Sequence, residues 1–180
     1  VIFVKKTMSI IALLIIALVL PVIHAQQPQI PSLQVPNPTK VEAKALVYID
    51  ARQDLLSAGT FKVSGSAFYD TTTPYPVGNF VIEVDMSDSI HGAIISTSID
   101  QITTTGKHTP TVYLSGRCDV KADKEYTGCH YWLMMTDNRP GNNKTAEIIG
   151  FLVFDRQGNR ISYGTGPVAE GSIYVAPNGY

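Results

Sequence analysis

The sequence has few of the marks of catalysis or metal binding. No Gly-x-Ser-x-Gly occurs, and Ser66 and Ser115 lie in strand-like patterns, not at strand-to-helix elbows. Beyond residue 25 the histidines are His91, His108 and His130, none paired at metal-ligand spacing, so zinc is not expected. Gly164-Thr-Gly166 is too short for a phosphate loop. No cofactor is implied. Charge is sparse, at 16% of residues. Nothing resembles a basic stripe, so nucleic acid is not an expected partner. Cysteine is scarcer still: Cys118 and Cys129 are the only two, with no Cys-x-x-Cys pair to hold a metal.

Long hydrophobic runs are missing except at one place. Lys5 and Lys6 precede the apolar run Ile10 to Leu20, Pro21 breaks it, and Ile23-His24-Ala25 ends in a small residue. A basic start, a short apolar segment and a small residue at the cut describe a secretory signal peptide over 1–25. The run is short of the ~20 residues a membrane span needs, so no transmembrane segment is expected after cleavage. Taking the two leader lysines from 14 basic residues leaves 12 against 15 acidic, a formal charge of −3. The expected location is secreted or periplasmic. In such a compartment two cysteines are most simply a disulfide, Cys118–Cys129.

Residues 26–39 carry four prolines and no charge, which reads as a linker or arm. Residues 40–180 read as a single domain. Val41, Ala43, Ala45, Val47 and Ile49 alternate with Glu42, Lys44 and Asp50, although a helix through Leu56 also fits. Phe61 to Tyr69 and Phe80 to Met86 alternate cleanly. Gly92 to Ile102 is β-branched, Thr103 to Pro110 reads as loop, and Gln157-Gly-Asn159 as a hairpin turn. Gly164-Thr-Gly-Pro167 reads as a strand break. About nine short strands with frequent turn signals predict an all-β fold, an antiparallel β-sandwich, with a partly closed β-barrel as the alternative.

The densest stretch is Thr111 to Asp155. If Cys118 faces Cys129 in an antiparallel pair, Arg117 faces His130, Ser115 faces Trp132, and Tyr113 faces Met134. Val112, Leu114, Cys118, Cys129, Leu133 and Met135 then form a core face, with Gly116 making room for Tyr131. Tyr113, Arg117, His130 and Trp132 lie on the opposite face. They are the candidate binding surface, because exposed apolar patches mark interaction sites. An Arg beside Trp or Tyr also reads as cation–π packing. A weaker candidate is a calcium turn of Asp137, Asn138, Asn142 and Asn143, although Asp and Asn favour turns by bonding their own backbone.

Val112-Tyr-Leu-Ser-Gly-Arg-Cys-Asp-Val120, Tyr131-Trp-Leu-Met-Met-Thr-Asp-Asn-Arg-Pro-Gly141, Ile149-Gly-Phe-Leu-Val-Phe154 and Glu170-Gly-Ser-Ile-Tyr-Val175 together resemble the post-COAP β-domain. The resemblance covers about Thr111 to Val175, and Asp137-Asn-Arg-Pro-Gly141 is its most specific part. It implies a secreted bacterial β-domain and carries over no catalytic residue. The expected function is a cell-surface or periplasmic binding module, its partner a surface protein or a polysaccharide. The alternatives are a secreted enzyme on a β scaffold and a fibre subunit whose arm at 26–39 reaches a neighbour by strand addition.

Overall fold

In a computed structural model of the chain, the described residues are 39–51, 58–69, 75–106, 108–138 and 145–176. The expected leader, the arm before Thr39, the helix alternative through Leu56, and Asn142 and Asn143 of the calcium turn lie outside them. Eight strands follow one another: β1 (Thr39–Ile49), β2 (Gly59–Tyr69), β3 (Val77–Met86), β4 (His91–Thr105), β5 (Thr111–Ala122), β6 (Tyr126–Thr136), β7 (Ile148–Phe154) and β8 (Arg160–Ala176). Each pairs antiparallel with the next, and β1 pairs with β8, so the sheet closes into an up-and-down barrel.

The all-β expectation holds, and the arrangement is the barrel, not the sandwich. The alternation that suggests two facing sheets serves equally for one sheet wrapped on itself. Val41, Ala43, Ala45 and Val47 are buried, as are Phe61, Val63 and Ala67, and Phe80, Ile82, Val84 and Met86. All point into the barrel. An eight-stranded barrel is just wide enough for side chains to fill it. The filling alternates large with small: a methyl at Gly116 would come within 2.9 Å of Tyr131 Cε1, and one at Gly164 within 2.9 Å of Phe151 and 3.1 Å of Phe61.

That packing corrects the expected break at Gly164-Thr-Gly-Pro167. Gly164 and Gly166 are inward positions emptied for Phe151 and for Val47, and β8 runs through them for 17 residues. Among the described residues the strand count is therefore eight. β4 likewise continues to Thr105, past the expected loop start. β5 and β6 extend through most of the charged stretch between the cysteines, leaving 123–125 as the turn.

The exterior carries Glu42, Lys44, Lys62, Glu83, Asp85, Arg117 and Lys121 among its strands. With an apolar interior, this is the reverse of the lipid-facing pattern of a membrane barrel. Cross-strand Lys62–Glu83 (3.3 Å) and His91–Asp85 (2.9 Å) pairs decorate this surface. Exposed pairs of this kind contribute at most about 1 kcal/mol each.

β8 outruns the short β7, leaving its far N–H groups without a strand. Side chains from the β6–β7 connection take that place. Glu147 accepts from the Ile173 N–H at 2.7 Å and Asp137 from the Val175 N–H at 3.3 Å. Asn138 Nδ2 donates to the Ala146 carbonyl at 2.6 Å. The Asp137 turn is thus a structural latch on the last strand, with Asp137 and Asn138 both buried. Buried backbone donors must find acceptors, and these carboxylates supply them.

Cys118 and Cys129 are register partners, as are Arg117 and His130, Ser115 and Trp132, and Tyr113 and Met134. The pairing expected from the sequence is therefore observed, but the disulfide is not: both cysteines are free, buried thiols. They serve as small apolar core residues. Burial, reinforced by the neighbouring Cys129, pushes the Cys118 thiol up to about 12, and burial also raises Cys129. A thiol raised above its unfolded value favours the fold below that value, and this contribution is lost as pH rises toward the folded one. Native protein at pH 8 is therefore expected to resist iodoacetamide and to take up two labels only in denaturant, read by mass spectrometry. Its unfolding free energy should fall as pH rises above about 8.5. Rapid double labelling of the native state would contradict the packing.

Candidate functional site

The register extends the β5–β6 face into a grid across β4 to β8. One row is Gln101, Ser115, Trp132, Leu152 and Tyr163. The next is Thr103, Tyr113, Met134, Gly150 and Thr165. A third brings Arg117, His130, Phe154 and Arg160 side by side. Directly opposed residues share a face, and side chains two positions apart on one strand point the same way.

All four candidate residues lie on this outer face. Trp132 is 51% exposed and Tyr113 48%, with Arg117 exposed and His130 half-buried. Trp132 and Tyr113 are diagonal neighbours and form a ridge between two shallow grooves. One groove, about 230 Å³, is floored by Leu114, Leu133 and Gly150 and walled by Met134, Leu152 and Thr165. The other, about 260 Å³, has Gln101, Thr103 and Ser115 on its far side. Both share Tyr113 and Trp132. Gly150 matters as an empty position: a methyl there would meet Thr165 Oγ1 at 2.8 Å and intrude on the first groove.

Trp132 is braced by Phe154, its ring centroid 5.3 Å away and the planes at 89°. Such an edge contact is worth about 0.5–1.5 kcal/mol and fixes the indole's orientation. This corrects the expected cation–π packing of Arg117 on Trp132 or Tyr113. Among the described residues the stacked cations are Lys124 over Tyr126 and Arg160 over Tyr163. Arg117 stands in the next row, opposite His130, with its side chain exposed.

The calcium turn does not assemble from what is described. Asp137 and Asn138 face inward on backbone groups, and no cluster of three His, Cys, Asp or Glu side chains suited to a metal occurs among the described residues. The Asp155–Asn159 turn also bonds itself: the Asp155 carboxylate accepts from the N–H groups of Gln157 and Asn159 and from Asn159 Nδ2. Gly158 takes the positive φ, 85°, that the hairpin turn requires.

Sequence reasoning missed Leu152, Phe154, Tyr163, Gln101 and Thr103 as neighbours of Trp132. The pairing between Cys118 and Cys129 reached only β5 and β6. Comparison with protein-family models, with curated proteins and with solved structures finds no match.

The Asn159 side chain, followed by backbone N–H groups of the same turn, holds Asp155 below the ordinary aspartate range. A depressed carboxylate contributes stability above its unfolded value, lost as pH falls through the folded one. Titration of Asp155 by NMR should therefore show a midpoint below about 3.9. Asn159→Ala should move it upward. An unchanged midpoint in the variant would contradict the turn geometry.

Proposed function

We propose that the protein is an exported binding module, secreted or periplasmic, that works by contact through the Tyr113–Trp132 ridge. The observation that carries this reading is a half-exposed tryptophan on a rigid sheet, braced by Phe154 and flanked by two grooves. Aromatic side chains fixed in this way make good anchors because little rotamer entropy remains to be lost on binding. Grooves of about 230 and 260 Å³ fall below the ~300 Å³ of a typical enclosed small-molecule site. That favours a ligand lying across the surface over a substrate enclosed for reaction. Arg117 and His130 at one end supply polar contacts. Residues 1–25 act as the leader in this reading. The resemblance of Thr111 to Val175 to post-COAP β-domains belongs to it too, since the Asp137 turn and the Val175 strand that carry the resemblance are hydrogen-bonded to each other.

Fractionated cell envelopes provide the test. Native protein should co-sediment with them, and Trp132→Ala should not while still folding, the lost Phe154 contact costing about 0.5–1.5 kcal/mol beyond the area uncovered. Collapse of the Trp132→Ala fold, or undiminished co-sedimentation, would overturn the reading.

A second reading, assembly by strand addition, is favoured by β4. Its first part pairs with β3 only from His91 to Ile95, after which Ser96 Oγ accepts from Phe80 N–H at 2.7 Å. From Ser98 to Thr105 it pairs with β5 alone among the described residues. An open strand edge is a template for another strand. Assembly of this kind should appear as concentration-dependent oligomers in sedimentation velocity, lost on deleting 26–38. A monomer at all concentrations would dismiss it.

A further inference from the structure

We infer that the Tyr113–Trp132 ridge takes an uncharged polysaccharide chain, an assignment that rests on the binding reading above and names its ligand class. Charge decides first. No residue lining either groove beside the ridge is an acid, a lysine, an arginine or a histidine. Two other outer grooves differ: one is lined by Lys44, Lys62 and Glu170, another by Lys62, Glu83, Asp85 and Lys121. A neutral occupant loses no ionic hydration on entering the ridge grooves, whereas a charged one would find no counter-charge in them.

Polar chemistry decides next. The groove edges offer an amide and hydroxyls: Gln101, Thr103 and Ser115 on one side of the ridge, Thr165 on the other. Gln101 Nε2 donates to Thr103 Oγ1 at 3.4 Å, which orients the carboxamide and leaves its oxygen to accept. A purely apolar occupant would cover these groups without offering them partners. A pyranose instead presents a C–H face to an aromatic ring and hydroxyls around its rim. Grooves on both sides of a shared ridge fit successive sugar units, so the ligand is a chain and not a single sugar.

Affinity electrophoresis tests this with the full chain in gels containing hydroxyethylcellulose, dextran, galactomannan or glycol chitin, with polygalacturonate as the charged control. At least one neutral polymer should retard the protein, and Trp132→Ala and Gln101→Ala should each weaken the retardation at least ten-fold. Trp132→Phe, which keeps a ring against Phe154, should retain part of it, and thermal unfolding checks that each variant folds. Retardation by polygalacturonate alone, binding to phosphatidylcholine vesicles alone, equal retardation of the Trp132→Ala and native proteins, or none by any neutral polymer would overturn the assignment. If the glycans fail while envelopes still retain native protein and not Trp132→Ala, the ligand class falls and the binding reading stands. If both fail, both fall.

Discussion

Pairing of β1 with β8 is the constraint on which the rest depends. It turns a meander of strands into a closed wall with an inside and an outside, and so gives each alternation in the sequence a meaning. Closure removes the sheet's two terminal edges, which is how up-and-down barrels protect themselves from pairing with other chains. The β1–β8 ladder runs from Lys40 with Ala176 to Val47 with Val168. Beyond β7 the other edge of β8 is held by Glu147 and Asp137, two carboxylates acting as substitute backbone acceptors. Asp137 and Asn138, which the sequence offers toward a cation, bond the backbone of the last strand and of the β6–β7 connection.

With the core committed to the inside, the outer face is free to vary. Elsewhere on the barrel it carries charged side chains such as Glu42, Lys44 and Glu83 beside scattered exposed rings, Tyr48, Phe68 and Tyr174. Across β5 to β8 it changes character, with Trp132, Met134, Leu152, Phe154 and Tyr163 brought together by strand register. An aromatic ridge costs a barrel little, because its interior is already filled. It also gains rigidity, because Trp132 and Phe154 stand where their strands are paired on both sides.

Much of this was legible in the sequence. The inward sets of β1, β2 and β3 follow from period-two alternation, and the β5–β6 register follows from setting Cys118 against Cys129. The register is right although no bond joins the sulfurs. What holds it is the shared alternation of Val112, Leu114, Leu133 and Met135, which a one-residue slip would expose. Closure was not legible, because alternation is the same in a sandwich and a barrel, and only the long-range β1–β8 pairing separates them. Gly164 and Gly166 misled for a related reason: a glycine that makes room for Phe151 or Val47 looks, in sequence, like one that breaks a strand. Tyr113, Arg117, His130 and Trp132 could be placed on one face. Leu152, Phe154 and Tyr163 could not be placed beside them, since the connection between β6 and β7 hides the register of everything after it.

Trp132 is the chain's only tryptophan, so its fluorescence reports on this face without ambiguity. Acrylamide quenching of the intact protein is the most direct measurement. A half-exposed indole on the outer wall predicts red-shifted emission and efficient quenching in the native state, only moderately increased by denaturant. Blue-shifted emission that resists acrylamide until the protein unfolds would mean the ridge is covered, and would contradict an open binding surface.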